Sequence, residues 1–297
     1  MTGQPPPPPQ PLDYSYAVLR ILFGAIGCAF MLGLADLGTF WDPTGLVPIA
    51  AGGWKAAAIE SGWGALAGRT VFVTNVAAFA AMTVGFRSRE AVVLAFVAST
   101  LHASWNPLPL SAAFQVLRSV LFCLIWADTG RVWSLDARAT AASTSRRRSP
   151  SVIPLRLIGV QVALVYLATG LWKLGSPEWQ DGTALYYVLA TNGFSRLPAL
   201  PGLHLTTLLT GMTHLVLLWE LGFAFMVLVP WARAMALGLG VAFHLGMWLA
   251  MDLGPFPWVM LASYVAFIPP SRLVTGLERW RRLRGPAPEV STVGAQS

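Results

Sequence analysis

The stretch VIPLRLIGVQVALVYLATGLW, residues 152–172, is followed at once by Lys173 and is long enough to cross a bilayer. A hydrocarbon core about 30 Å thick takes roughly 20 helical residues. In lipid every backbone polar group must be satisfied internally, so a spanning chain is helical or a closed barrel. Eight apolar runs of this kind are read, at roughly 17–35, 65–85, 91–105, 111–127, 153–173, 205–229, 234–251 and 256–269. They are continuous rather than alternating, which excludes a β-barrel. The third and last are short for a full crossing and read as tilted, re-entrant or completed by neighbours. Only 11% of residues are charged, against about 25% in a soluble domain. The expected fold class is all-α, a polytopic helical membrane protein of about eight spans.

Charge orients these spans. With eight crossings, fifteen basic residues fall on the side of the two termini, among them Arg20, Arg87, Arg131, Arg156 and Arg233. Four fall opposite (Lys55, Arg69, Lys173 and Arg196), and Arg118 lies inside a span. Basic residues favour the cytoplasmic side, so both termini are expected in the cytoplasm of a cell-membrane protein, with Lys173 at the outer end of the fifth span. The net charge of +7 follows from this pattern, and no nucleic-acid partner is implied. The N-terminus MTGQPPPPPQPLD has no basic region or cleavage site of a signal peptide. Residues 1–14 are read as a disordered Pro-rich tail, 15–270 as the membrane domain, 139–151 as a flexible Arg/Ser-rich linker and 271–297 as a basic polar tail. Cys28 and Cys123 lie in apolar runs, so no disulfide framework is indicated.

Several polar residues interrupt the apolar runs. Lys173 reads two ways: an anchor whose ammonium reaches the interface beside Trp172 and Trp179, or a desolvated base. Helical spacing puts it on one face with Tyr166 and Gly170. Glu220 in THLVLLWELGFAF is the deepest acid. An intramembrane carboxylate marks a functional site or a structural ion pair, and Arg118 is its expected partner across the bundle. His244 lies within the seventh span. His102 and His214 are in or near spans, and His204 lies in or beside a loop. A lone histidine in a bundle usually makes an interhelical hydrogen bond. No i, i+4 ligand pair occurs, so no metal is expected. Gly24 and Gly27 would allow close helix approach, and WDPTGLVP (41–48), with Asp42, reads as a turn.

Four ordered segments carry a resemblance. They are LRILFGAIGCAFMLGLADLGTFWDPTGLVP; SWNP with GRVWSLD downstream; QVALVYLATGLWKLGSPEWQDGTALYY; and FHLGMWLAMDLGPFPWVMLASYVAFIP. Together they resemble the HTTM (horizontally transferred transmembrane) family, which includes the membrane part of vitamin K-dependent gamma-carboxylase. The similarity covers about residues 15–270. It implies a membrane enzyme that deprotonates a reduced quinone of the vitamin K or menaquinone type, lets it react with oxygen, and carboxylates glutamate. The carboxylase's catalytic lysine lies in a small–Gly–apolar–Lys–Lys–Leu segment followed by Trp and Gly. TGLWKL here aligns Lys173 with the second lysine and puts Trp172 at the first. The resemblance thus implies Lys173 as general base; around it His244 and Glu220 are expected as supports or proton partners, and Tyr166, Trp172, Trp179 and Arg118 as the border of a quinol pocket.

Two departures stand beside it. The carboxylase has a functional histidine just after its Trp-Asn pair, where Trp105-Asn106 here continue as Pro107, Leu108 and Pro109. Its large lumenal domain is also not expected after the spans, so a protein-glutamate substrate lacks an obvious dock. The alternative expectation is a non-catalytic membrane partner in the maturation, export or immunity of a peptide or protein client.

Overall fold

The computed structural model describes residues 8–34, 53–105, 111–139, 149–191, 193–197 and 205–283. The turn expected at 41–48, the residues after Trp105, most of the 139–151 linker and His204 lie outside them. The described residues fold as helices: α1 (Pro11–Gly33), α2 (Trp54–Glu60), α3 (Gly64–Val84), α4 (Ser88–Trp105), α5 (Ala112–Leu124), α6 (Leu135–Ala139) and α7 (Ile153–Leu174). Then come α8 (Pro177–Gln180), α9 (Ala184–Ala190), α10 (Thr206–Met226), α11 (Pro230–Ala250), α12 (Phe256–Ser263) with the 3₁₀ turn Tyr264–Phe267, and α13 (Pro270–Leu283). Prolines occupy the first turn of α1, α7, α8, α11 and α12, where a missing N–H costs nothing.

Among the described residues, five helices are long and apolar enough to cross a membrane: α1, α3, α7, α10 and α11. The other three expected spans are also helical but less suited to crossing. Helix α5 has 13 residues, about 20 Å at 1.5 Å per residue. Helix α12 and its 3₁₀ turn are shorter still. The basic segment after 270 begins as helix α13, and α1 starts at Pro11, inside the stretch read as a tail.

Helix α1 packs on α3 through its glycines. A Cβ on Gly24 would stand 2.8 Å from the Thr83 backbone nitrogen, and one on Gly27 would enter the Phe79 ring. Helices α3 and α4 share a buried hydrogen bond, Ser99 Oγ to Asn75 Oδ1 at 2.9 Å. Helices α7, α10 and α11 form a second cluster, and α12 packs on α1, α5, α7 and α11, between the two groups.

Arg20 is fully buried within α1 rather than lying at an interface. Its guanidinium donates to the carbonyls of Met82 (2.6 Å), Thr83 (2.8 Å), Thr129 (3.0 Å) and Trp133 (2.6 Å). The first two lie in the last turn of α3, where the carbonyls run out of helical i+4 donors, so Arg20 caps that helix from outside. The GRVWSLD segment completes the arrangement. Trp133 adopts a left-handed φ of 51°, uncommon for a bulky side chain, and its carbonyl is held by Arg20. Asp136 accepts from the N–H groups of Arg87 (2.8 Å) and Ser88 (2.6 Å) and caps α4. Partial burial pulls its carboxyl upward, but those hydrogen bonds and nearby Arg20 outweigh it, and the group sits below its ordinary value. Gly85, at φ 71°, turns the chain between α3 and α4. A Cβ there would lie 2.7 Å from the Arg20 guanidinium. This motif therefore builds the α3–α4 corner.

Candidate functional site

Lys173 occupies the last turn of α7, and its side chain turns into the bundle. Its Nζ donates to Glu220 Oε1 of α10 at 2.5 Å. The Lys173 side chain is 18% exposed and that of Glu220 5%. Gly170, one turn earlier, makes the approach of the two helices possible: a Cβ there would meet Leu221 side-chain and backbone atoms at 3.1–3.2 Å. The chain then folds back through Ser176–Pro177, bringing the Trp179 ring 4.4 Å from Lys173 Nζ, a cation–π distance. Gln180 donates to the Leu174 carbonyl at 2.8 Å, and the Leu185 N–H donates to Thr213 Oγ1 of α10 at 3.3 Å. The segment carrying α8 and α9 is thus fastened over the end of α7.

Tyr166, two turns below Lys173 on the same face, is at the centre of a second group. Its hydroxyl lies 2.6 Å from His244 Nε2 of α11 and 2.7 Å from the Tyr264 hydroxyl. The rings of Trp219 and Phe223 pack on it with centroids at 4.7 and 4.4 Å. Trp219 is held by its own indole N–H, which donates to the Ala236 carbonyl at 3.0 Å. Two buried polar atoms in this neighbourhood lack a hydrogen-bond partner among the described residues: Glu220 Oε2 and His244 Nδ1. Thr169 lies beside the carboxylate, but its hydroxyl donates to the carbonyls of Val165 and Tyr166.

Four of the candidate residues therefore come together: Lys173, Glu220, Tyr166 and His244, with Trp179 as a lid. Two do not. Trp172 is 78% exposed; one residue from Lys173, it is turned about 100° around the helix and faces outward. Arg118 does not pair with Glu220, contrary to expectation. It donates to Gln115 Oε1 at 3.1 Å and lines a groove shared with Gln161. Gln161 and Lys173 are twelve residues apart on α7, about 18 Å along its axis, so Arg118 sits at the wrong depth for Glu220.

Tyr264 and Trp219 join the site beyond the residues expected from the sequence. The available signal was a polar-tipped aromatic inside an apolar run, which needs a partner when buried. His102 packs on Phe114, ring centroids 5.3 Å apart, and His214 Nε2 lies 3.1 Å from the Gln180 carbonyl. Among the described residues, no three metal-binding side chains converge.

An ion pair and a buried hydroxyl–imidazole contact among helices long and apolar enough to cross a membrane define a polytopic α-helical membrane protein with a polar cluster in its core. The HTTM domain model matches residues 70–271, more than half of the chain, and the protein belongs to that family. It is 27% identical over 121 residues to the sporulation-delaying protein SdpB of Bacillus subtilis (strain 168). That alignment spans 39% of this chain and 38% of SdpB. No solved structure matches the chain.

Proposed function

We propose that this protein is a carboxylase-like, quinol-linked enzyme of the cell membrane, in which Lys173 acts as base and Glu220 as its proton partner. The observation that carries the reading is the direction of Lys173: its ammonium bonds Glu220 inside the bundle instead of reaching for headgroups. An interfacial anchor has no use for a buried carboxylate. In water a Lys–Glu pair is firmly charge-separated, whereas in apolar surroundings the cost of two desolvated ions brings the neutral pair closer in energy. Transfer of one proton over 2.5 Å leaves a free amine at Lys173, able to accept a proton from a bound acid. Glu220 then holds the first proton, and the Tyr166–His244 contact offers a further relay.

The unpartnered Glu220 Oε2 and His244 Nδ1 suit a ligand that bears hydroxyl groups on a ring. Lys173, Glu220 and His244 would hold a reduced quinone, and Trp219 and Phe243 wall a lateral apolar groove of about 180 Å³ suited to an isoprenoid tail. When bound, a reduced quinone supplies the electrons for reaction with oxygen. The charge pattern of the sequence supports an outward-facing site: if all eight apolar stretches cross, the Arg-rich loops lie on the side opposite Lys173, and basic residues favour the cytoplasm.

The test uses purified protein in nanodiscs with chemically reduced menaquinone or vitamin K, oxygen and glutamate-containing peptides. Quinone epoxide and carboxylated peptide are read by mass spectrometry. Epoxide from wild type, abolished in Lys173→Ala and Glu220→Gln, is the expected result; no epoxide from folded wild type sinks the proposal. SdpB favours a second reading, because its name records delayed sporulation rather than a reaction. In that reading the chain is a non-catalytic membrane partner in the maturation, export or immunity of a peptide or protein client.

A further inference from the structure

A separate cavity lies at the opposite end of α7, between its first turns, the end of α10 and the 3₁₀ turn that leads into α13. Its volume is about 550 Å³, in the range of small-molecule sites. Its depth comes from small residues: Gly159, Ala163 and Ala224 line it, and Phe267, Ile268 and the Pro269–Pro270 turn close one wall. Among the described residues, the charged ones in the lining are Arg156 and Arg233. Arg233 Nε donates to the Val227 carbonyl at 2.7 Å, which leaves its terminal nitrogens for another acceptor. Neither arginine forms an ion pair among the described residues, whose salt bridges lie elsewhere.

The position sets what fits. Arg156 is the fourth residue of α7 and therefore lies near the membrane surface. Ala163 lies seven residues further in, about 10 Å along the helix. The cavity is thus cationic at the surface and apolar below it, matching a molecule with an anionic head and a hydrocarbon chain. Basic pockets between transmembrane helices recognise anionic lipid headgroups in this way. We infer that this cavity is a site for one anionic phospholipid, with its phosphate between Arg156 and Arg233 and an acyl chain along Gly159, Ala163 and Ala224. The site is distinct from the Lys173–Glu220 pair and does not depend on the activity proposed for it.

Native mass spectrometry of the full chain, released from nanodiscs of mixed phosphatidylglycerol and phosphatidylcholine, tests this. Wild type should retain one phosphatidylglycerol in preference to phosphatidylcholine. The Arg156→Gln/Arg233→Gln double variant should lose about thirtyfold in that preference, taking each arginine at its usual surface contribution. Because Arg233 also holds the end of α10, Arg156→Gln alone and Ala163→Phe serve as independent checks. The first removes one guanidinium, and the second fills the apolar part while leaving both charges. Each should lower retention with the fold intact by circular dichroism. Equal retention of the two lipids, or retention unchanged in both Arg156→Gln and Ala163→Phe, overturns the inference. So does binding of inorganic phosphate alone with no chain requirement, or a dimer lost in Ala163→Phe, which would assign the cavity to a second copy.

Discussion

Replacing Lys173 or Glu220 singly by methionine should cost more stability than replacing both. The ion pair spans 2.5 Å, with side chains 18% and 5% exposed, and what borders the exposed parts of these helices is largely lipid. Lys173→Met leaves the Glu220 carboxylate without its cation. Breaking a buried pair from one side typically costs about 3–5 kcal/mol. Glu220→Met should fall at the lower end, because Lys173 sits at the end of α7 and its long stem can carry the ammonium to the interface. The double variant removes both charges and fills the space with side chains of similar length, so it should lie within about 1–2 kcal/mol of wild type. Unfolding in mixed micelles, as a double-mutant cycle, reads these differences directly. Single variants costing under about 1 kcal/mol, or a double variant no better than the sum of the singles, would refute the buried pair. Epoxide formation then separates a chemical role from a structural one. A double variant that recovers stability but makes no epoxide assigns the pair to the chemistry; one that recovers both makes it structural.

Other parts of the structure yield equally specific expectations. Tyr166→Phe removes the hydroxyl shared by His244 and Tyr264; in a membrane bundle this should cost about 1–2 kcal/mol, measured by the same unfolding assay. Arg20→Lys keeps the charge but cannot reach four carbonyls at once, and should cost about 3 kcal/mol or more, with faster proteolysis at the 85–88 turn as the readout. Against the upward pull of partial burial, hydrogen bonds and nearby Arg20 hold the Asp136 carboxyl below its ordinary value, so the unfolded chain binds more protons than the folded one as acid is added. Its contribution is complete above that value and is lost as pH falls through the lowered one. Melting measured from pH 6 to 3 should therefore show an acid-side loss that Asp136→Ala reduces, and Asp136→Ala should lower stability by about 1 kcal/mol at neutral pH.

Much of this protein was legible along the chain because the solvent imposes a local rule. A segment in lipid must satisfy its own backbone bonds, so long apolar runs such as 153–173 had to be helices wherever they packed. Prolines 11, 154, 177 and 230 fall in the first turns of their helices, a preference that is local as well. The small residues Gly24 and Gly27 announced close helix approach, and three-to-four spacing placed Tyr166, Gly170 and Lys173 on one face of α7. Lys173, Glu220 and His244 stood out because an ionisable group inside an apolar run is costly without a partner.

Which partner each one takes was not a local property. Glu220 is bonded to Lys173 and not to Arg118 because depth along the helices matches the first pair, whereas Arg118 shares a groove with Gln161, about 18 Å along α7 from Lys173. Trp172 and Trp179 are near neighbours of Lys173 in sequence, yet only Trp179 is brought over the ammonium, by the turn at Ser176–Pro177. Arg20 looked like one more residue at a span end, and the buried guanidinium that caps α3 exists only once the 129–136 segment folds against α1. Tyr264 joins the Tyr166–His244 group from a 3₁₀ turn 98 residues away in sequence. Composition and periodicity set which segments enter the membrane and which faces they bury. Rotation, depth and register between helices, which depend on how side chains interlock, decided which of the buried polar groups meet.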